Sequence, residues 1–120
     1  MSRPLVVWHN PRCSKSRQAL ARLEATGRPL EVRRYLDDPP DRPTLARVAE
    51  RLDDGPAALL RAKESEAREL GLTAASDPDA ILDALAKHPR LIERPVVLDG
   101  DRALVARPPE RLDDWLERDD

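Results

Sequence analysis

Short hydrophobic runs alternate with amphipathic segments along this chain, and together they predict an ordered series of strands and helices. Leu5 to Trp8 are continuously apolar, which is typical of a strand buried on both faces. After a turn over residues 9–14, apolar residues recur at helical spacing from Cys13 onward, and Gly27 with Pro29 ends that segment. The first unit is therefore predicted to be strand, loop, helix.

The middle of the chain is predicted to be helical. A second strand is expected at Leu30 to Leu36, before the chain-breaking stretch DDPPDRP. Three helix-prone segments follow, one from Pro43, one over Pro56 to Leu70 that Gly71 ends, and one capped by Ser76 or Asp77 that continues to His88. No low-complexity linker or repeat separates them, so residues 43–88 are predicted to form a helical insertion packed on the same domain.

The last third of the chain predicts two strands and a helix. PVVLDGDRALVA contains two short branched runs around Asp99-Gly100, a strong signal for an antiparallel hairpin. A final helix is expected from Pro108 and Pro109, with Leu112, Trp115 and Leu116 on one face. The predicted order is β, α, β, helical insertion, β, β, α, and a length of 120 residues fits one α/β domain.

Composition excludes several classes of function. A formal net charge of −2 with 37% charged residues argues against nucleic-acid binding, and with no Phe, one Tyr and two Trp there are few side chains for base stacking. The longest apolar runs are only a few residues, so neither membrane insertion nor export is expected and the protein is predicted to be cytoplasmic. The single cysteine cannot form an internal disulfide.

Cys13 is the candidate nucleophile. A thiol at the first turn of a helix lies among unpaired backbone N–H groups at the positive end of the helix dipole, which favours the thiolate. Arg12, Lys15 and Arg17 add positive charge, and His9 is placed to hydrogen-bond to the sulfur or to share its proton. The alternative is a small, buried, unreactive cysteine, but the polar neighbours argue against it. We therefore expect the pKa of Cys13 to lie below its ordinary value of about 8.5.

Two serines lie close to that cysteine. Ser14 and Ser16 are expected to satisfy orphan amides at the helix N-terminus. Ser16 also stands where a CxxC motif would have its second sulfur, so a redox cycle through Cys13 needs an outside thiol such as glutathione. His9 and His88 are the only histidines, too few for a metal site with one cysteine, and no metal is expected.

Arginines mark three further positions. Arg61 follows the apolar ALL, whereas Arg94 and Arg107 directly precede Pro95 and Pro108 at the ends of predicted strands. Each alone would be read as surface charge. An X-Pro bond before a strand, as at Arg94, can be cis, and guanidinium groups that converge near a thiolate would form an oxyanion pocket.

The segments HNPRCSKSRQAL, YLDDPP, ALLRAKE, ELGL, HPRLIERPVV and ARPPE, in this order, resemble the glutaredoxin-coupled arsenate reductase family, to which the Spx regulators are related. The resemblance covers nearly the whole chain, and CSKS is closest to the arsenate-reductase-like branch. It implies one thioredoxin-like domain over residues 1–120, a mixed sheet flanked by helices with the helical insertion between the second and third strands.

The resemblance also implies a mechanism. A Cys13 thiolate, kept ionised with help from His9, would attack arsenate, and the oxyanion would be bound by Arg61, Arg94 and Arg107. Asn10, Ser14, Ser16 and a cis Pro95 would support the loop. Glutathione as co-substrate would attack the arsenic, glutaredoxin would resolve the mixed species, and arsenite would be released, with no bound cofactor.

Two other functions stay open at the level of sequence. One is a non-catalytic, Spx-like regulator that binds RNA polymerase, although the dithiol CxxC of the redox-sensing members is absent because Ser16 replaces the second cysteine. The other is a glutathione-dependent thiol oxidoreductase that acts on another substrate, such as protein mixed disulfides.

Overall fold

The computed structural model describes residues 3–117, which divide into two compact units. The first unit contains the residues up to Arg34 and those from Arg94 onward, and the second is Tyr35–Glu93. The strands are β1 (Leu5–Trp8), β2 (Leu30–Arg33), β3 (Val96–Asp99) and β4 (Arg102–Val105). The α-helices are α1 (Ser14–Glu24), α2 (Arg42–Glu50), α3 (Ser65–Glu69), α4 (Pro78–Lys87) and α5 (Arg111–Glu117).

All four strands belong to one mixed sheet in the first unit. The strand order is β2-β1-β3-β4, with β1 parallel to β2 and antiparallel to β3. The apolar run of β1 suits its central place, because Leu5, Val7 and Trp8 are all buried. Strands β3 and β4 form the predicted antiparallel hairpin, and Gly100 in its turn has a φ of +61°, which glycine adopts without strain.

Helices α1 and α5 pack their apolar residues against one side of that sheet. Ala19 and Leu23 of α1 and Leu112 of α5 join a buried cluster with strand residues such as Val7 and Val97. The predicted start of α1 is confirmed, but α5 begins at Arg111 rather than at Pro108. The residues before it form tight turns, whose amide-to-carbonyl bonds span three residues rather than four.

Strand β2 is shorter than predicted. It ends at Arg33 because β1 ends at Trp8, and the last bond between the two segments runs from the His9 amide to the Arg33 carbonyl, at 2.8 Å. The predicted continuation to Leu36 is therefore wrong, since no part of β1 remains to pair with it.

The second unit contains the predicted helices between β2 and β3. Asp41 caps α2 by accepting a hydrogen bond from the Thr44 amide at 2.9 Å, and Pro43 lies in the first turn as expected. Arg42 bonds to two carboxylates of α4, on Asp79 and Asp83. The unit's buried core includes Leu45, Val48 and Ala49 of α2 with Ile81, Leu82 and Leu85 of α4.

The single helix predicted over Pro56 to Leu70 is wrong. That stretch contains a 3-10 turn at Gly55–Leu59, an extended residue at Leu60 and the short helix α3. Leu60 forms an antiparallel bridge with Ile92, flanked by bonds from the Arg61 amide to Leu91 and from the Glu93 amide to Leu59. These pairings with a distant segment override the local helix propensity.

Two predictions concern the chain as a whole: the absence of a membrane-spanning segment and the number of domains. Among residues 3–117, no helix combines the length and the apolarity that crossing a bilayer requires. One domain spanning residues 1–120 stays a prediction.

Candidate active site

Cys13 lies where the strand-turn-helix pattern predicted it, at the N-cap of α1. Its amide donates to the Asn10 carbonyl at 3.0 Å, which closes the turn after β1, and its carbonyl accepts from the Arg17 amide at 3.0 Å as the helix begins. The thiol is free and half-buried. The sulfur is thus held beside the unpaired amides of the first helical turn.

The surroundings of the sulfur favour the thiolate. Burial raises the pKa of Cys13, but the Ser16 amide, the charge of Arg94 and the Lys15 amide outweigh it, so that the pKa lies below its ordinary value. Nη1 of Arg107 lies 3.8 Å from Sγ, within reach of a hydrogen bond to sulfur. Helix amides and guanidinium groups therefore stabilise negative charge at one atom.

Arg94 and Arg107 come together at Cys13, although they lie 13 positions apart in the chain. The same Nη1 of Arg107 that reaches the sulfur also donates to the Arg94 carbonyl at 3.3 Å. The bond from Arg94 to Pro95 is cis, as expected, and so is the bond from Arg107 to Pro108. Two of the three arginines singled out in the sequence thus border the candidate nucleophile.

His9 has a different partner from the one expected. Its Nδ1 lies 2.7 Å from Oγ of Ser16, and both residues are buried. Burial lowers the pKa of His9, and the charges of Arg34 and Arg17 lower it further against a smaller opposite effect of Glu24. These effects favour the neutral ring, and its Nδ1 contacts Ser16 rather than Cys13, the partner predicted from the sequence.

The remaining loop residues divide into those that brace the turn and those that do not. Oγ of Ser16 accepts from the Asn10 amide at 3.1 Å, so it serves the turn rather than a helix amide as predicted. Oδ1 of Asn10 accepts from the Arg12 amide at 3.0 Å, and Arg17 donates to the Pro11 carbonyl at 2.8 Å. Ser14 is exposed, and its supporting role stays a prediction.

Comparison with known proteins shows the family to which the chain belongs. The model of the ArsC family matches residues 8–115. This chain belongs to the ArsC family. An arsenate reductase of Neisseria meningitidis serogroup A is 46% identical over 109 residues, which cover 89% of this chain and 93% of that protein. An arsenate reductase of Haemophilus influenzae is 36% identical over 110 residues, covering 90% and 95% of the two chains.

A solved structure extends the ArsC family comparison to the fold. The arsenate reductase from Vibrio cholerae superposes with a TM-score of 0.86 at 38% identity, covering 95% of this chain and 98% of that one. The mixed four-stranded sheet flanked by helices is the α/β thioredoxin-like fold, as the family resemblance implied.

The third arginine of the ArsC resemblance, Arg61, belongs to the second unit. Its Nη2 pairs with Oε2 of Glu64 at 3.1 Å, and its Nη1 donates to the Arg90 carbonyl at 3.1 Å. The side chain is thus held by a carboxylate and a carbonyl on its own unit. Oxyanion binding by Arg61 stays a prediction.

The side chains that could bind a metal ion are not grouped together in residues 3–117. Within the described part of the chain, no group of three or more His, Cys, Asp or Glu side chains is arranged to hold an ion. What the site offers chemically is one activated thiolate with two guanidinium groups beside it, a combination that suits attack on an anionic electrophile.

Proposed function

We propose that this member of the ArsC family reduces arsenate to arsenite through a covalent intermediate on Cys13, with glutathione and glutaredoxin as the source of electrons. The observation that carries the proposal is the pairing of a thiolate-favouring site at Cys13 with Arg94 and Arg107. An oxyanion substrate needs both a nucleophile and cations that neutralise its charge. The arsenate reductases of N. meningitidis and H. influenzae, which match most of the chain, add support.

The first step is nucleophilic attack. The Cys13 thiolate forms a sulfur–arsenic bond, and one arsenate oxygen takes up protons and leaves as water, while arsenic stays As(V). Arg94 and Arg107 offset the negative charge of the oxyanion and of the thiolate, which would otherwise repel each other. Arg61 is a further candidate for this role, on the family resemblance alone.

The second step brings in the outside thiols, because one cysteine cannot form a disulfide within the chain. Glutathione forms a second sulfur–arsenic bond, and a second oxygen leaves as water. A glutaredoxin thiolate then attacks the glutathione sulfur, and the electron pair of the broken bond stays on arsenic, which becomes As(III). This attack also forms a glutaredoxin–glutathione disulfide. Water then displaces the Cys13 thiolate from arsenic, and arsenite is released. A cycle that depends on reduced glutathione suits a reducing compartment such as the cytoplasm.

A coupled assay tests this function. Protein, arsenate, glutathione, glutaredoxin and glutathione reductase are mixed, and arsenate-dependent NADPH oxidation is followed. We expect turnover with the wild type and none above background with Cys13→Ser. Arg61→Ala should raise KM for arsenate if that arginine binds the oxyanion, and should leave it unchanged otherwise. A folded wild type without arsenate-dependent turnover would refute arsenate reduction.

A further inference from the structure

The Ser16 side chain occupies an unusual position for a helix serine. It lies in the first turn of α1 with no exposed surface, and its hydroxyl has two partners among the described residues. One is Nδ1 of His9 at 2.7 Å, and the other is the Asn10 amide at 3.1 Å. A single buried hydroxyl therefore joins the end of β1, the turn and the helix.

The two partners fix the direction of each hydrogen bond. The Asn10 amide only donates, so Oγ of Ser16 accepts there, and the one hydroxyl hydrogen is available for His9. If His9 donated from Nδ1 instead, the Ser16 hydroxyl hydrogen would be buried with no acceptor among residues 3–117, which native structures avoid. Nδ1 of His9 is therefore the acceptor, and the imidazole hydrogen sits on Nε2. Burial and the neighbouring Arg17 and Arg34 charges also favour the neutral ring.

The backbone of Ser16 lies in the first helical turn after the nucleophile. Its amide and that of Lys15 both lower the pKa of the Cys13 thiol. The Ser16 hydroxyl in turn binds the amide of Asn10, the residue whose carbonyl accepts from the Cys13 amide at 3.0 Å. The position of these amides relative to the sulfur depends on the turn that the hydroxyl anchors.

We infer that Ser16 is a positioning residue for Cys13: its hydroxyl, donating to a neutral His9 and accepting from Asn10, holds the turn that places the sulfur beside the first helical amides. His9 acts on Cys13 through this serine, as a hydrogen-bond acceptor, and takes no proton from the thiol. This role of Ser16 affects the state of the thiolate, whether or not arsenate is the substrate.

Nuclear magnetic resonance of the imidazole nitrogens tests the assignment on the wild-type protein. Only two histidines, His9 and His88, give such signals, so assignment needs one variant, His88→Gln. At pH 7 we expect His9 to be neutral with its hydrogen on Nε2. A hydrogen on Nδ1, or a charged ring at that pH, would overturn the inference without any variant of the site itself.

Alkylation kinetics test whether Ser16 affects the reactivity of Cys13, the only thiol in the chain. The rate with iodoacetamide against pH reports the Cys13 thiolate. We expect Ser16→Ala to lower the rate at pH 7 by roughly three- to tenfold, the size of one ordinary hydrogen bond, and Ser16→Thr to restore most of it. An unchanged pH profile in a folded Ser16→Ala protein would overturn the inference.

Two substitutions of His9 distinguish a hydrogen-bond acceptor for Ser16 from a base that takes the thiol proton. The amide oxygen in His9→Asn takes roughly the place of Nδ1 and still accepts from Ser16, but it binds no proton at these pH values. We expect His9→Asn to alkylate at close to the wild-type rate and His9→Ala to match Ser16→Ala, with no further loss in the double variant. Equal loss in His9→Asn and His9→Ala, or additive losses in the double variant, would contradict the inference.

These readouts are distinguishable from the assay of the proposed function. Thiolate reactivity that follows the expected pattern with no arsenate turnover would leave Ser16 in its role and remove only the substrate. Circular dichroism confirms that each variant is folded, and if Ser16→Ala is not, the His9 pair and the wild-type tautomer still decide.

Discussion

At the scale of single residues, Arg107 contributes two contacts to the site. Its Nη1 reaches Sγ of Cys13 at 3.8 Å and the Arg94 carbonyl at 3.3 Å. The first contact stabilises the thiolate, and the second ties the loop that carries the other arginine. Loss of this side chain therefore removes a positive charge from beside the nucleophile. It also removes a hydrogen bond that holds the backbone at Arg94.

We predict that Arg107→Ala lowers kcat/KM for arsenate by about 10- to 100-fold, the range for losing one charge-assisted hydrogen bond. Arg107→Lys keeps the charge but not the planar fork, and should fall between the two. Arg68→Ala, an exposed arginine of α3, is the matched control and should behave as the wild type. Steady-state kinetics in the coupled assay measure all four proteins, and wild-type kcat/KM in Arg107→Ala would exclude a role for this residue.

The sequence was sufficient to single out Cys13, Arg94 and Arg107, which lie together in the structure, because each lies at the end of an element that local pattern defines. The bond between His9 and Ser16 was not predictable in the same way. Residues seven apart across a turn meet only if the turn has a particular path, and nothing in the residue types specifies whether the ring faces the serine or the cysteine.

At the scale of elements, the hairpin of β3 and β4 is held by a buried carboxylate at its turn. Asp99 accepts two hydrogen bonds from Arg28, at 2.9 and 3.1 Å, and lies 3.7 Å from Arg102. These bonds lower the pKa of Asp99, and burial opposes them only in part. The pairing links the loop before β2, at one edge of the sheet, to the hairpin turn.

A stability measurement against pH tests this link. A carboxylate whose pKa is lowered by folding stabilises the fold above its ordinary pKa, and that contribution is lost as the pH falls through the folded-state pKa. We predict that Asp99→Asn costs about 1–3 kcal/mol of unfolding free energy at pH 7, and less below about pH 4. Urea titrations measure it, with Asp114→Asn in α5 as an exposed control. Equal stability of Asp99→Asn and wild type at pH 7 would contradict the prediction.

Hydrogen exchange tests the extended segment that replaces the expected helix. The amides of Arg61 and Glu93 bond across to Leu91 and Leu59, at 2.8 and 2.7 Å, and should exchange slowly. For the amides of Ala62 and Lys63, no backbone acceptor occurs within residues 3–117, and they should exchange fast. A continuous helix over residues 56–70 would instead protect both of these amides, so slow exchange there would contradict the observed path.

The helices and strands that could be predicted were those whose own sequence carries the signal for them. The apolar run of β1, the Asp99-Gly100 turn and the proline-started helix α2 each carry their own signal. The end of β2 and the break at Leu60 depend instead on partners distant in sequence, since β2 ends with its neighbour and Leu60 extends to pair with Ile92. Helix propensity over residues 56–70 could not reveal that pairing.

At the scale of the whole molecule, the single cysteine determines where the electrons for reduction can come from. A chain with one thiol can bind arsenic covalently, but it cannot supply the two electrons of reduction by forming an internal disulfide. Ser16, where a dithiol motif would have its second sulfur, is fully buried and bonded to His9. Under the proposed mechanism, every turnover would therefore need thiols from outside the chain.

We predict that arsenite formation stops when glutathione is omitted, because glutaredoxin then has no mixed species to resolve. Arsenite is measured directly, with glutathione, with glutaredoxin alone, and with S-methylglutathione as a control that keeps the peptide but lacks the thiol. One glutaredoxin–glutathione disulfide should form for each arsenite released, counted by mass spectrometry. Turnover that continues without glutathione, or with the methylated peptide, would show that the electrons take another route and that Cys13 is resolved by a different thiol.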